Sequence, residues 1–130
     1  MLFFGHRFLE SEKFYHINSV EAITNTPPSS YIYLEFSEDN LDIIEHLNAN
    51  EITYALSIKS IKELMYASAL NTNYIVVEKE LAKTAQNIAE SYLFDAKILV
   101  SVEDDESIEE FALLSIDGLI FSNAIIKINS

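Results

Sequence analysis

The sequence predicts an α/β fold with a mainly parallel sheet of five or six strands, and three observations predict it. Short runs rich in β-branched and aromatic residues recur along the chain, most of them nearly continuously apolar, as strands buried on both faces are. Between them lie segments whose apolar residues recur at helical spacing. The later runs start 22, 21, 23 and 21 residues apart, which leaves room for one strand, one helix and two turns per unit. Strand–helix alternation with right-handed crossovers gives a parallel sheet, either open and doubly wound or curled like part of a barrel.

The elements follow in order. Residues 14–17 (FYHI) form the first strand, and Asn18-x-x-Glu21 is a loose capping signal for a helical turn over 19–24. Pro27-Pro28-Ser29-Ser30 is a loop that delivers the chain to a strand at 31–36 (YIYLEF). Leu41, Ile44 and Leu47 stand at i, i+3, i+6 and mark a helix, followed by a strand at 53–58 (TYALSI). Ser60-x-x-Glu63 matches the capping box and opens a helix striped by Ile61, Leu64, Met65 and Ala69. The strand at 74–78 (YIVVE) leads to a longer helix with Leu81, Ala85, Ile88, Ala89 and Tyr92 on one face. After the strand Lys97–Val102, Ser107-x-x-Glu110 caps a short helix carrying Ile108, Phe111 and Ala112, and Gly118–Phe121 is the last clear strand. Only a short helix or one more strand can follow it. The apolar residues at the two ends (Leu2, Phe3, Phe4 and Phe8; Ile125, Ile126 and Ile128) are buried either by pairing within one subunit or in a homodimer interface.

Length and composition fit residues 1–130 as a single domain with an ordinary core, 49% of the residues being hydrophobic. No composition shift or long linker interrupts it. A complete eight-fold barrel usually needs at least ~200 residues. The ~22-residue period falls in the leucine-rich-repeat range, but Asn40 has no counterpart after the other strands, as that repeat requires.

Two glycines exclude the phosphate-binding loops and the nucleophile elbow, which need several positions without a Cβ. The absence of cysteine removes thiolate metal sites, thiol nucleophiles and disulfides. A formal charge of −13 disfavours nucleic acid or an anionic membrane as partner. No signal peptide or apolar spanning run is present, so a cytoplasmic homo-oligomer is expected, with neither cofactor nor metal.

In parallel α/β sheets, ligands bind beyond the carboxyl ends of the strands. Those positions are Asn18, Glu35 with Ser37, Lys59, Glu78, Glu103 and Asn123. Glu35 sits inside an apolar strand, where an unpaired buried carboxylate is costly. Lys59 is its natural counter-ion, and Glu78 ends the strand after. Glu35, Lys59 and Glu78, with Asn123, are therefore the candidate ligand site, or else a rim of ion-paired, solvated charges. Glu103 to Glu106, with Glu109 and Glu110, lack the glycine of a calcium loop and read as acidic residues favouring a helix N-terminus. His6, His16 and His46 are dispersed and lack zinc-site spacing.

Two families bear comparison. Response-regulator receiver domains share the size and alternation, but none of their acidic or lysine positions is matched at the strand ends here. Gly5-His6-Arg7 and Glu35-Phe36-Ser37-Glu38-Asp39 resemble the opening motifs of glycerophosphodiester phosphodiesterases. Phe8 replaces the motif glycine, Ser37 replaces the metal-binding Asp, and the chain is about half the required barrel, so the activity is not carried over. Lys97–Phe121 also resembles the strand–helix–"DG-hydrophobic" units near the end of many barrels. The sequence leads to a small acidic domain acting through self-association and binding of a protein or small ligand. The alternative is a minimal enzyme or ligand-binding domain using Glu35, Lys59 and Glu78, with a divalent cation.

Overall fold

A computed structural model describes residues 1–128. Its strands are β1 (Leu2–Phe4), β2 (Phe14–His16), β3 (Tyr31–Glu35), β4 (Tyr54–Ser57), β5 (Tyr74–Val77), β6 (Lys97–Val102), β7 (Gly118–Phe121) and β8 (Ile125–Lys127). Helices α1 (Leu41–Ala49), α2 (Ile61–Ala69), α3 (Lys79–Ser91) and α4 (Ile108–Leu113) follow β3, β4, β5 and β6 in turn. All eight strands form one sheet in the order β1-β7-β6-β5-β4-β3-β2-β8, and every pairing is parallel. The sheet has eight strands, not five or six. The two additional ones are three-residue edge strands at the ends of the chain, too short to carry a periodic signal of their own.

Chain connectivity requires this sheet to curl. β7 and β8 are joined only by the 3₁₀ turn Ser122–Ala124, yet six strand spacings separate them in the sheet. In a flat sheet at ~4.8 Å per strand they would lie ~29 Å apart. Four Cα steps of ~3.8 Å reach only ~15 Å. The sheet is accordingly a half-barrel, which decides between the open and curled forms. Its concave side is filled by Phe4, Phe14, Ala55, Val76, Leu99 and Ile120, with Tyr31, Tyr33 and Tyr74 partly buried against them. The rings meet edge to face: Phe4–Phe14 at 5.0 Å, Phe4–Tyr74 at 5.4 Å and Phe14–Tyr74 at 5.8 Å between centroids. The convex side packs Ile32, Leu34, Leu56, Ile75, Ile98 and Leu119 under the helices.

Both glycines lie where β1 joins the sheet. A Cβ on Gly118 would stand 2.7 Å from Leu99 Cδ2 and 2.8 Å from Leu2 Cβ. One on Gly5 would stand 2.6 Å from Asn123 Oδ1 and 2.9 Å from Ala124 Cβ, and Gly5 also has φ +88°. The two ends of the chain thus do meet within one subunit, although Leu2 (39% exposed), Phe8 (73%) and Ile126 (37%) stay accessible.

The helices end without glycine. Glu51, Asn71, Leu93 and Ser115 each follow a helix at φ between 53° and 65°. Each is bridged by a long backbone bond of the Schellman type, from Ile52 N to Leu47 O, Thr72 N to Ala67 O, Phe94 N to Ala89 O and Ile116 N to Phe111 O. An apolar or small residue beyond the turn docks on the helix and holds this geometry.

Several helix faces differ from expectation. α1 buries Ile43, Ile44 and Leu47 while Leu41 is exposed, because a 3₁₀ turn at Glu38–Asn40 precedes the helix and rotates its entry. α3 buries Ala85 and Ala89 of the expected stripe, with Leu81 and Ile88 partly buried against the core, and adds Ala82 and Gln86. Small alanines let its backbone sit close to the sheet, and Tyr92 is left 68% exposed. Ser60 caps α2 as expected, accepting from Glu63 N at 3.2 Å, while Glu63 Oε1 accepts from Lys59 N at 2.9 Å. Ser107 does not cap α4: it ends a 3₁₀ turn (Asp105–Ser107) whose cap is Asp104, accepting from Glu106 N at 3.0 Å. Ser19 Oγ accepts from Ala22 N ahead of the 3₁₀ turn Glu21–Asn25.

Candidate functional site

Side chains alternate across a strand, so the residues that follow the aromatic filling upward on the concave side can be read off each strand. Above Tyr31 and Tyr33 on β3 comes Glu35; above Ala55 on β4 comes Ser57; above Val76 on β5 comes Glu78. On β6 the series is Leu99, Ser101, Glu103, and on β2 it is Phe14, then His16. Register aligns them: Glu35 pairs with Ser57, Ser57 with Val76, His16 with Tyr33 on one side and with Lys127 on the other. The carboxyl rim of the half-barrel is therefore polar, set on an aromatic floor.

Tyr33 is the centre of this rim. His16 stands edge-on to its ring at 5.0 Å. Burial raises the Tyr33 phenol above its ordinary pKa, a hydrogen bond with Ser57 pulls the other way, and the Glu35 and Glu78 carboxylates add to the rise. Both carboxylates thus act on one hydroxyl. Burial lowers the pKa of His16, Glu35 opposes that, and Lys127 reinforces it. His16 is held toward its neutral form and can exchange a proton or accept a hydrogen bond.

Of the four candidate residues, Glu35 and Glu78 each raise the Tyr33 phenol through their charge. Glu35 is exposed at the last position of β3, not buried within it, because the strand stops there. Among the described residues the ion pairs are His6–Asp105 and Arg7–Asp105, so Lys59 is not the salt-bridge partner of Glu35 or Glu78. Asn123 lies apart, in the turn before β8, beside Gly5 and Lys13. No group of three or more His, Asp or Glu side chains is placed to hold a metal ion among the described residues.

A second polar cluster was not expected. His6 is buried, with its Nε2 3.1 Å from Asp105 Oδ1 and its Nδ1 accepting from Phe8 N at 3.1 Å. Phe3, Phe8 and Phe121 surround its ring, and Arg7 bonds the other Asp105 oxygen. With both ring nitrogens engaged, His6 serves as a clamp that ties the end of β1 to the end of β6. Its acid lies 98 residues from Arg7, a separation at which only the tertiary fold reveals a partner.

A recess of about 680 Å³ lies at the opposite, amino-terminal rim between Tyr31, Tyr74, Leu93 and Lys97. The carboxyl rim has a smaller cleft of about 340 Å³ between the ends of β5 and β6, lined by Glu78, Ser101 and Glu103. Strand polarity makes the carboxyl rim the candidate site. No protein-family model matches the chain, and no curated protein matches it by sequence.

Proposed function

We propose that this is a binding domain whose ligand site is the carboxyl rim of the half-barrel and which self-associates through its edge strands. The observation that carries the reading is the strand-end register that sets His16 beside Tyr33 and Ser57 beside Glu35, above an interior that aromatic rings already fill. A filled interior supports recognition at the rim rather than inside the sheet. The short edge strands β1 and β8, with Leu2 and Ile126 accessible on them, support self-association. The test is an amide-resolved NMR titration with a panel of small cationic, neutral and anionic compounds. Shifts confined to residues 33–37, 57–60, 78–80 and 101–104 are expected, and shifts elsewhere or none would overturn the site.

A second reading, a minimal enzyme or ligand-binding domain using Glu35, Lys59 and Glu78 with a divalent cation, draws on the action of Glu35 and Glu78 on one hydroxyl. It requires Mg²⁺ to shift the same amides and the Glu78→Gln variant to abolish that response.

A further inference from the structure

We infer that the amino-terminal rim is the face through which two copies of this chain associate, with Leu93 and Leu113 as its anchors. The inference rests on the self-association proposed above and narrows its surface to this rim, the amino end of β1 included.

Three of the four most exposed large apolar side chains among the described residues stand where α3 and α4 end: Leu93 (84%), Leu113 (79%) and Tyr92 (68%). The remaining one, Phe8, carries the Arg7 guanidinium 4.4 Å over its ring. A lysine or arginine is favoured at a helix C-terminus, yet α2, α3 and α4 have no basic residue in the last turn. Leu93 adds a backbone cost, since it holds φ 56° where glycine or asparagine is at ease. Its exposed side chain returns little packing within the subunit. A contact outside the subunit accounts for a leucine that is both strained and exposed.

These residues stand beside concave surface. Tyr92 and Leu93 border the recess of about 680 Å³ that reaches Tyr31 and Tyr74. Leu93 borders a second recess with Lys97 and Asp117. Asp117 follows Leu113 by four residues, and its carbonyl accepts from Leu2 N. The face therefore extends to the amino end of β1, where Leu2 is accessible. A projecting side chain next to a recess is self-complementary: under a two-fold axis, Leu93 of each copy enters the recess of the other.

Charge selects the same face. Every helix leaving the carboxyl rim has an acidic residue in its first turn, and the run Glu103–Glu106 stands there as well. Copies joined at their amino rims hold these carboxylates at opposite ends of the dimer, where like charges repel least. Lys97 is exposed on the amino rim and in no ion pair among the described residues. Asp95 and Glu90 border the same two recesses, so a two-fold axis lets the amine of one copy meet the acids of the other.

The test is sedimentation equilibrium of the full chain from low micromolar to millimolar concentration. The parent is expected to dimerise. Leu93→Asn and Leu113→Gln should each weaken dimerisation about tenfold or more, while Ile126→Gln on β8 leaves the constant unchanged. Asparagine suits the left-handed position and both rim sites are exposed, so the variants keep the fold, as far-UV circular dichroism of each will verify. In the parent, amide exchange at high against low concentration should slow at residues 92–97 and 113–118. Dimers of parental strength in both rim variants overturn this face. If Ile126→Gln alone dissociates them, self-association stands and passes to β8. A parent that is monomeric throughout overturns both the face and the self-association.

Discussion

At the scale of single residues, the rim and the seam make the sharpest demands. The depressed His16 pKa means that the folded chain binds protons there less readily than the unfolded chain does. Stability from this group is complete above the unfolded value of ~6.5 and falls as pH drops below it. Replacing His16 with Gln removes the titration. Chemical denaturation of His16→Gln between pH 7 and 5 is expected to show a shallower loss than the parent, and parallel curves would refute the assignment. At the seam, Gly5→Ala forces a side chain into both a positive φ and the Asn123 contact. A loss of about 2 kcal/mol or more is expected in urea melts. Gly118→Ala carries no φ penalty but pushes on the Leu2 backbone, with an expected loss of about 1–3 kcal/mol.

At the scale of elements, the helix ends explain how a chain with two glycines turns so often. Glu51, Asn71, Leu93 and Ser115 hold left-handed positions that glycine usually occupies. Leu93 is 84% exposed and loses little packing on truncation. Leu93→Gly is therefore expected to raise stability by about 1 kcal/mol, read as a higher urea midpoint with an unchanged slope. The edge strand β1 depends on the His6–Arg7–Asp105 clamp. In Asp105→Ala, hydrogen exchange should quicken at the amides of β1 and its loop and stay slow in β4 to β6; uniform quickening would mean that the clamp supports the whole fold. The strands β3 to β7 were legible in the sequence because each is flanked by caps and turns. On α3, Ala85 and Ala89 were legible as part of the stripe, while Ala82 and Gln86 were not, because a small alanine and a polar amide carry little hydrophobic signal.

At the scale of the whole molecule, a curled sheet with short edges and a charge of −13 sets two opposing tendencies. Accessible Leu2, Phe8 and Ile126 favour association, and like charge opposes it. Light scattering at micromolar concentration is expected to give a mass of twice 14.8 kDa or more, favoured by added salt as repulsion is screened. A strict monomer at both low and high salt would remove self-association from the proposed function.

The sequence by itself determined the strand–helix alternation, the parallel sheet and the strand-end residues, because periodicity, caps and turn chemistry are local properties of the chain. It placed Glu35 and Glu78 at strand ends, since strand polarity follows from alternation alone. What only the tertiary structure decided are the curl, the two edge strands, the seam and the polar surroundings of Tyr33. Each depends on residues far apart in the chain: Leu2 beside Gly118, His6 beside Asp105, His16 between Tyr33 and Lys127. Three residues joining β7 to β8 force the sheet to bend, and that constraint becomes visible only once the strand order is known.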